Sequence, residues 1–167
     1  MKFPHRKTPT PRTQRAGTGQ VEILLIEDDP ADAERTVRAL RRGRVRCRVT
    51  VAEDGEQALL LLRQRSPVRP DLILLDWYLP KKDGREVLDE IKSDPELRQV
   101  PIIVLTMSDR QEDVAEAYNG HANSFVTKPA DLDQFARAMR LIGVFWKGRA
   151  LKKQRPATAP PKRKGKL

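Results

Sequence analysis

Residues 71–76 read Asp71-Leu72-Ile73-Leu74-Leu75-Asp76, four consecutive apolar residues between two aspartates. The run is too short for a helix and lacks the alternation of a half-exposed strand. It predicts a strand buried on both faces, as in the middle of a parallel sheet. Upstream, residues 54–65 set Ala58, Leu59, Leu61 and Leu62 at helical spacing; downstream, residues 83–93 do so with Val87, Leu88 and Ile91. The strand is therefore bracketed by helices, and the rhythm continues outward. Val21-Glu22-Ile23-Leu24-Leu25-Ile26 is another short apolar run. Asp29 follows as an N-cap, with Pro30 in the first turn of a helix that carries Ala33, Val37 and Leu40 and stops at Gly43. Residues 45–51 alternate apolar and charged side chains, as an edge strand does. Residues 100–105 form a strand with Pro101 at its beginning. A helix over 110–120 runs through Val114, Ala117 and Tyr118, and 124–127 is a short strand. A last helix, from Asp131 to about Lys147, aligns Leu132, Phe135, Ala136, Met139, Ile142 and Trp146.

Five βα units imply right-handed crossovers and an α/β fold: a doubly wound five-stranded parallel sheet of order 2-1-3-4-5. Ligands of such sheets sit beyond the carboxyl ends of the strands. Those ends present Glu27-Asp28-Asp29, Asp76, Thr106 and Lys128-Pro129. Carboxylates gathered round one crevice repel each other and call for a cation, and hard oxygen ligands suit Mg²⁺. Lys128 as a point charge and Thr106 as a hydroxyl donor suit a phosphoryl group. Asp76 can supply it, because a carboxylate can attack phosphorus. Asp29, Asp54 and Asp83 read as helix caps or turn residues, and Cys47 as a small hydrophobe.

This ordered set of strand-end residues resembles the receiver domain of two-component response regulators, over residues 21–146, with its flavodoxin-like fold. The stretches DLILLDWYLPKKDGREVL, PIIVLTMSDRQEDV and ANSFVTKPADLDQF look most similar to small regulators partnered with phytochrome-type histidine kinases. The resemblance implies that Asp76 accepts a phosphoryl group from a kinase phosphohistidine. It implies a Mg²⁺ site of Asp28, Asp76, the Tyr78 backbone carbonyl and, through a water, Glu27. Lys128 would pair with the phosphoryl oxygens. Thr106 and Phe125 would be the switch residues, moving the face built from the fourth helix, fifth strand and fifth helix. It also implies a cis Lys128–Pro129 peptide bond. Tyr78 and Met107 stand where smaller residues are frequent in the family, which predicts a screened, slowly hydrolysed acyl phosphate. Ala138, Leu141 and Phe145 lie on a second apolar face of the last helix and predict a homodimer, with Leu141 and Phe145 at its interface.

The chain has 167 residues and a formal net charge of +10, unevenly placed. Residues 1–20 carry five basic and no acidic side chains, and 147–167 carry nine and none, which leaves 21–146 at −4. Six of the 13 prolines also lie in those ends. Segments so polar cannot offset their chain entropy by burial, so 1–20 and 148–167 read as disordered basic tails around a receiver domain over 21–147. Weak contact of the tails with nucleic acid or an anionic surface is the alternative function; a solvated tail is the plainer reading, since no aromatic residues interleave the charges. No apolar run is long enough to span a membrane, and the N-terminus lacks the apolar core of a secretory signal, so a cytoplasmic location is expected. One cysteine permits no intrachain disulfide, and His5 and His121 lack metal-ligand spacing. A phosphatase using an aspartyl nucleophile wants a second aspartate two residues on, where Tyr78 stands, and no G-x-G-x-x-G follows the first strand. The expected role is signalling, not turnover of a substrate.

Overall fold

A computed structural model describes residues 20–64, 69–107 and 110–153; of 145–153 it describes the helical backbone only. The basic N-terminal tail and the chain beyond Lys153 lie outside the described residues. The elements are β1 Val21–Ile26, α1 Pro30–Arg42, β2 Cys47–Ala52, α2 Gly55–Arg63, β3 Leu72–Asp76, α3 Gly84–Ser93, β4 Ile102–Thr106, α4 Gln111–Asn119, β5 Ser124–Thr127 and α5 Leu132–Lys153. The strands form one parallel sheet in the order β2-β1-β3-β4-β5. This is the expected doubly wound sheet.

Alternation along the central strands divides the core in two. Leu24, Ile26, Ile73, Leu75, Ile102 and Val104 face α2 and α3, where they meet Leu59, Val87, Leu88 and Ile91. Ile23, Leu25, Leu72, Leu74, Ile103 and Leu105 face α1 and α5, against Leu40, Phe135 and Met139. Burial on both faces is the reason β3, β4 and β1 from Ile23 onward read as apolar runs. Edge strand β2 is buried only at Ala52.

Local chemistry fixes the helix ends. The Asp29 carboxylate accepts from the Ala31 and Asp32 N–H groups, with Pro30 opening α1. Asp54 caps α2, and Asp83 forms a reciprocal capping box with Glu86 on α3.

Three details depart from the sequence reading. Gly43 ends α1 with a right-handed φ of −70°, and Arg44 takes the left-handed step at φ 58°. Glycine is required at 43 for space instead: a Cβ there would lie 2.8 Å from the Ala136 carbonyl oxygen of α5. Second, α5 runs six residues past Lys147, to Lys153. Lys147, Arg149, Ala150, Leu151, Lys152 and Lys153 are good helix formers, and basic residues in a last turn complement the helix dipole. The boundary expected at 147/148 therefore falls inside a helix. Third, no peptide bond among the described residues is cis, so Lys128–Pro129 is trans. The two isomers of an X–Pro bond differ by only about 0.5–1 kcal/mol.

Candidate functional site

The register of the sheet assembles the site. Ile26 of β1 pairs with Leu75 of β3, so the next residues, Glu27 and Asp76, leave the sheet at one level. Both continue the alternation that faces α1 and α5. Lys128 follows β5, and its backbone N–H donates to the Thr106 carbonyl at 2.7 Å. Its side chain reaches back under the strand ends. The ammonium donates to Asp76 Oδ2 at 3.0 Å, to Asp32 Oδ2 at 3.1 Å and to Glu27 Oε2. A lysine ammonium has three N–H groups, and each has a carboxylate.

Burial sets the electrostatics. The side chains of Lys128 and Glu27 are both only 1% exposed, and that of Asp76 13%. Burial alone would lower the Lys128 pKa. The hydrogen bond to Glu27 and the charges of Asp76 and Glu27 outweigh that and hold it above the ordinary lysine value, so the ammonium stays charged. Burial, helped by the Asp76 charge, pushes the Glu27 carboxyl up to about 7, against the hydrogen bond and charge of Lys128 and the Asp29 N–H.

Oxygens of Glu27, Asp28 and Asp76 lie within 4.8 Å of one another, with Asp28 exposed on the solvent side. An all-oxygen, carboxylate-rich donor set open to water fits a hard divalent ion. Glu27 must ionise to serve such an ion. Its carboxyl titrates near 7, so metal binding should release a proton below neutrality and strengthen as pH rises from 6 to 8. A Mn²⁺ titration at several pH values, followed by tryptophan fluorescence in a Trp146→Phe background that leaves Trp77 as the reporter, should show this, and Glu27→Gln should flatten the dependence. An affinity independent of pH in the wild type would contradict it.

Around the cluster, Thr106 is fully buried at the end of β4, and Phe125 is half-buried against the α2–α3 side of the core. The loop after β3 is held tightly. The Tyr78 N–H donates to Asp76 Oδ1 at 3.2 Å, and the Gly84 N–H to the Trp77 carbonyl at 3.2 Å. A Cβ on Gly84 would fall 2.6 Å from the Asp76 carbonyl oxygen, so glycine is needed for this close approach. The site thus brings together Glu27, Asp28, Asp76 and Lys128, with Thr106 joined to Lys128 through its backbone carbonyl.

The family model of the response regulator receiver domain matches residues 23–140. The chain belongs to the response regulator receiver family. Among its relatives is the response regulator Rcp1 of Synechocystis sp., 41% identical over 129 residues, covering 74% of this chain and 87% of that protein. A solved structure of the phosphorylated cyanobacterial phytochrome response regulator RcpA is 44% identical, with a TM-score of 0.69 over 76% of this chain and 94% of that one. The Mn²⁺-bound form of Rcp1 is 39% identical, with a TM-score of 0.67, covering 75% and 94%. This receiver is accordingly a response regulator, a signalling domain whose acidic cluster fits a divalent ion.

Two residues of the receiver were missed in the sequence. Asp32, on the first turn of α1, is the third partner of Lys128; its position four residues after Asp28, past the proline, carried no signal of its own. Asp113 takes the buried position on α4 expected of its neighbour Val114, which is only half-buried, and Tyr118 is exposed. Of the expected dimer residues, Leu141 is 71% exposed, Ala138 packs on the α1–α5 side of the core, and the Phe145 side chain lies outside the described residues. No helix among the described residues is long and apolar enough to cross a membrane.

Proposed function

We propose that this receiver is a cytoplasmic phosphoacceptor that takes a phosphoryl group onto Asp76 from the phosphohistidine of a histidine kinase. The observation that carries the reading is the Lys128 ammonium held at once by Glu27, Asp32 and Asp76. It is a buried cation placed on the acceptor carboxylate before any phosphate arrives. An Asp76 oxygen would attack phosphorus as the N–P bond breaks, and the bonding electron pair returns to the imidazole, which takes a proton from solvent. Mg²⁺, held by Asp28, Asp76 and the Tyr78 carbonyl and, through a water, by Glu27, would offset the negative charge that gathers between acceptor and donor.

Lys128 then meets the phosphoryl oxygens, and the Thr106 hydroxyl turns to donate to one of them. Phe125 follows the space that Thr106 leaves. The result is a shift between two packings of the α4–β5–α5 face, driven by contacts made only with the phosphoryl group. Any turnover is limited to this self-catalysed transfer and slow hydrolysis of the product. A phytochrome-type kinase as donor is supported by the similarity to RcpA, described as a phytochrome response regulator.

Incubation with Mg²⁺ and a small phosphodonor should yield an adduct stable in acid and labile in base, as an acyl phosphate is; a chelator should prevent it. An adduct stable in base, or formed equally without metal, would overturn the reading.

The output is read as a homodimer formed through α5. Leu141 and Val144 are exposed three residues apart on this helix, at 71% and 65%, and such adjacent apolar side chains favour a contact. Light scattering should give a dimer for wild type and a monomer for Leu141→Asp with Phe145→Asp; a monomeric wild type would end the idea. The alternative of nucleic-acid binding rests on the basic tails, and no observation on the described residues favours it.

A further inference from the structure

Tyr78 stands two residues after the acceptor, 47% exposed, yet its hydroxyl is tied down: it donates to Asp113 Oδ2 at 2.7 Å. Its backbone N–H meets the Asp76 carboxylate. The side chain therefore spans from the acceptor to the first turn of the helix that follows β4. Asp113 is fixed in turn. It is 2% exposed, and Arg85 of α3 donates to its other oxygen at 3.3 Å. Arg85 also pairs with Glu116 at 2.7 Å and lies 5.7 Å from the centre of the Trp77 ring. The N-cap residue of α4, Arg110, makes no side-chain cap, and the side chain of Asp113 ties this turn to the loop after β3. A carboxylate so deeply buried is costly unless hydrogen-bonded, and here its partners come from the acceptor loop and α3.

We propose that Asp113 is a positioning residue for the phosphoacceptor site. It holds the Tyr78 ring along the flank of the crevice, where it hinders water from reaching the acyl phosphate, and the lifetime of the phosphorylated state depends on this link. The inference rests on Asp76 being the acceptor. Tyr78→Phe keeps the ring and removes only the tether; Asp113→Ala removes the anchor; Asp113→Asn keeps an oxygen to accept the hydroxyl.

The test is the half-life of the adduct formed with acetyl phosphate and Mg²⁺, after donor removal. Tyr78→Phe and Asp113→Ala should each shorten it roughly fivefold, the change an ordinary hydrogen bond makes to an equilibrium. The double variant should lose no more than either alone, because both break one link. Asp113→Asn should stay within about twofold of wild type. A merely structural Asp113 would shift the urea midpoint of Asp113→Ala and leave the half-lives alone. Unchanged lifetime in Tyr78→Phe overturns the proposal, even if Asp113→Ala is short-lived, since the effect would then run through Arg85. A wild type that forms no adduct overturns the acceptor reading and this proposal with it, an outcome distinct from labelling with equal lifetimes.

Discussion

Replacing Lys128 by methionine is expected to destabilise the metal-free protein by about 3–5 kcal/mol near pH 8, and by roughly 1 kcal/mol less near pH 5. The methionine fills most of the lysine's volume, so the loss is electrostatic. Lys128 supplies a positive charge to Glu27, Asp32 and Asp76, and both it and Glu27 are almost wholly buried. Without it, an ionised Glu27, itself almost wholly buried, faces Asp76 with no cation between them. The lysine is also among the influences that lower the Glu27 pKa, which already stands at about 7; its removal leaves burial and Asp76 to raise it further.

The sign follows. An acid whose folded pKa is raised above its unfolded value takes up a proton more readily in the folded state. The folded state therefore loses stability as pH rises through that folded pKa. Below it, Glu27 is neutral, and the loss of the lysine is felt through Asp76 and Asp32 alone. Urea unfolding of wild type and Lys128→Met at both pH values checks this. A loss of equal size at pH 5 and pH 8 would contradict it, as would a Glu27→Gln background that leaves the pH difference intact.

Much of the fold was legible because β3, β4 and most of β1 are buried on both faces, which writes them as apolar runs. The caps at Asp29, Asp54 and Asp83 were legible because N-cap chemistry is local. The candidate site was legible because its residues lie at strand ends: Glu27 follows β1 with Asp28 next to it, Asp76 and Thr106 close β3 and β4, and Lys128 follows β5. What stayed hidden was polar and long-range. Asp113 is buried because Tyr78 and Arg85, 35 and 28 residues away in sequence, satisfy its carboxylate. Hydrophobic periodicity cannot register such a position, and it assigned the inward place to Val114. Asp32 was hidden for the same reason: its partner Lys128 lies 96 residues away. The end of α5 was misplaced because the basic composition of 147–153 reads equally as tail or as a dipole-matched last turn.

The second large effect concerns Asp76 itself. Asparagine is nearly isosteric with aspartate, so Asp76→Asn keeps the shape of the site and an oxygen for the Tyr78 N–H while removing the nucleophilic oxygen charge. It also spares Lys128 two of its three carboxylate partners, Glu27 and Asp32, so the fold should survive. Circular dichroism and thermal unfolding would establish that before any reaction is tried.

The most direct measurement is then the intact mass of both proteins after exposure to acetyl phosphate and Mg²⁺. The wild type should gain about 80 Da, one phosphoryl group, and Asp76→Asn should gain nothing. A folded Asp76→Asn that acquires the same increment to the same extent, or a wild type that never acquires it, would contradict the account.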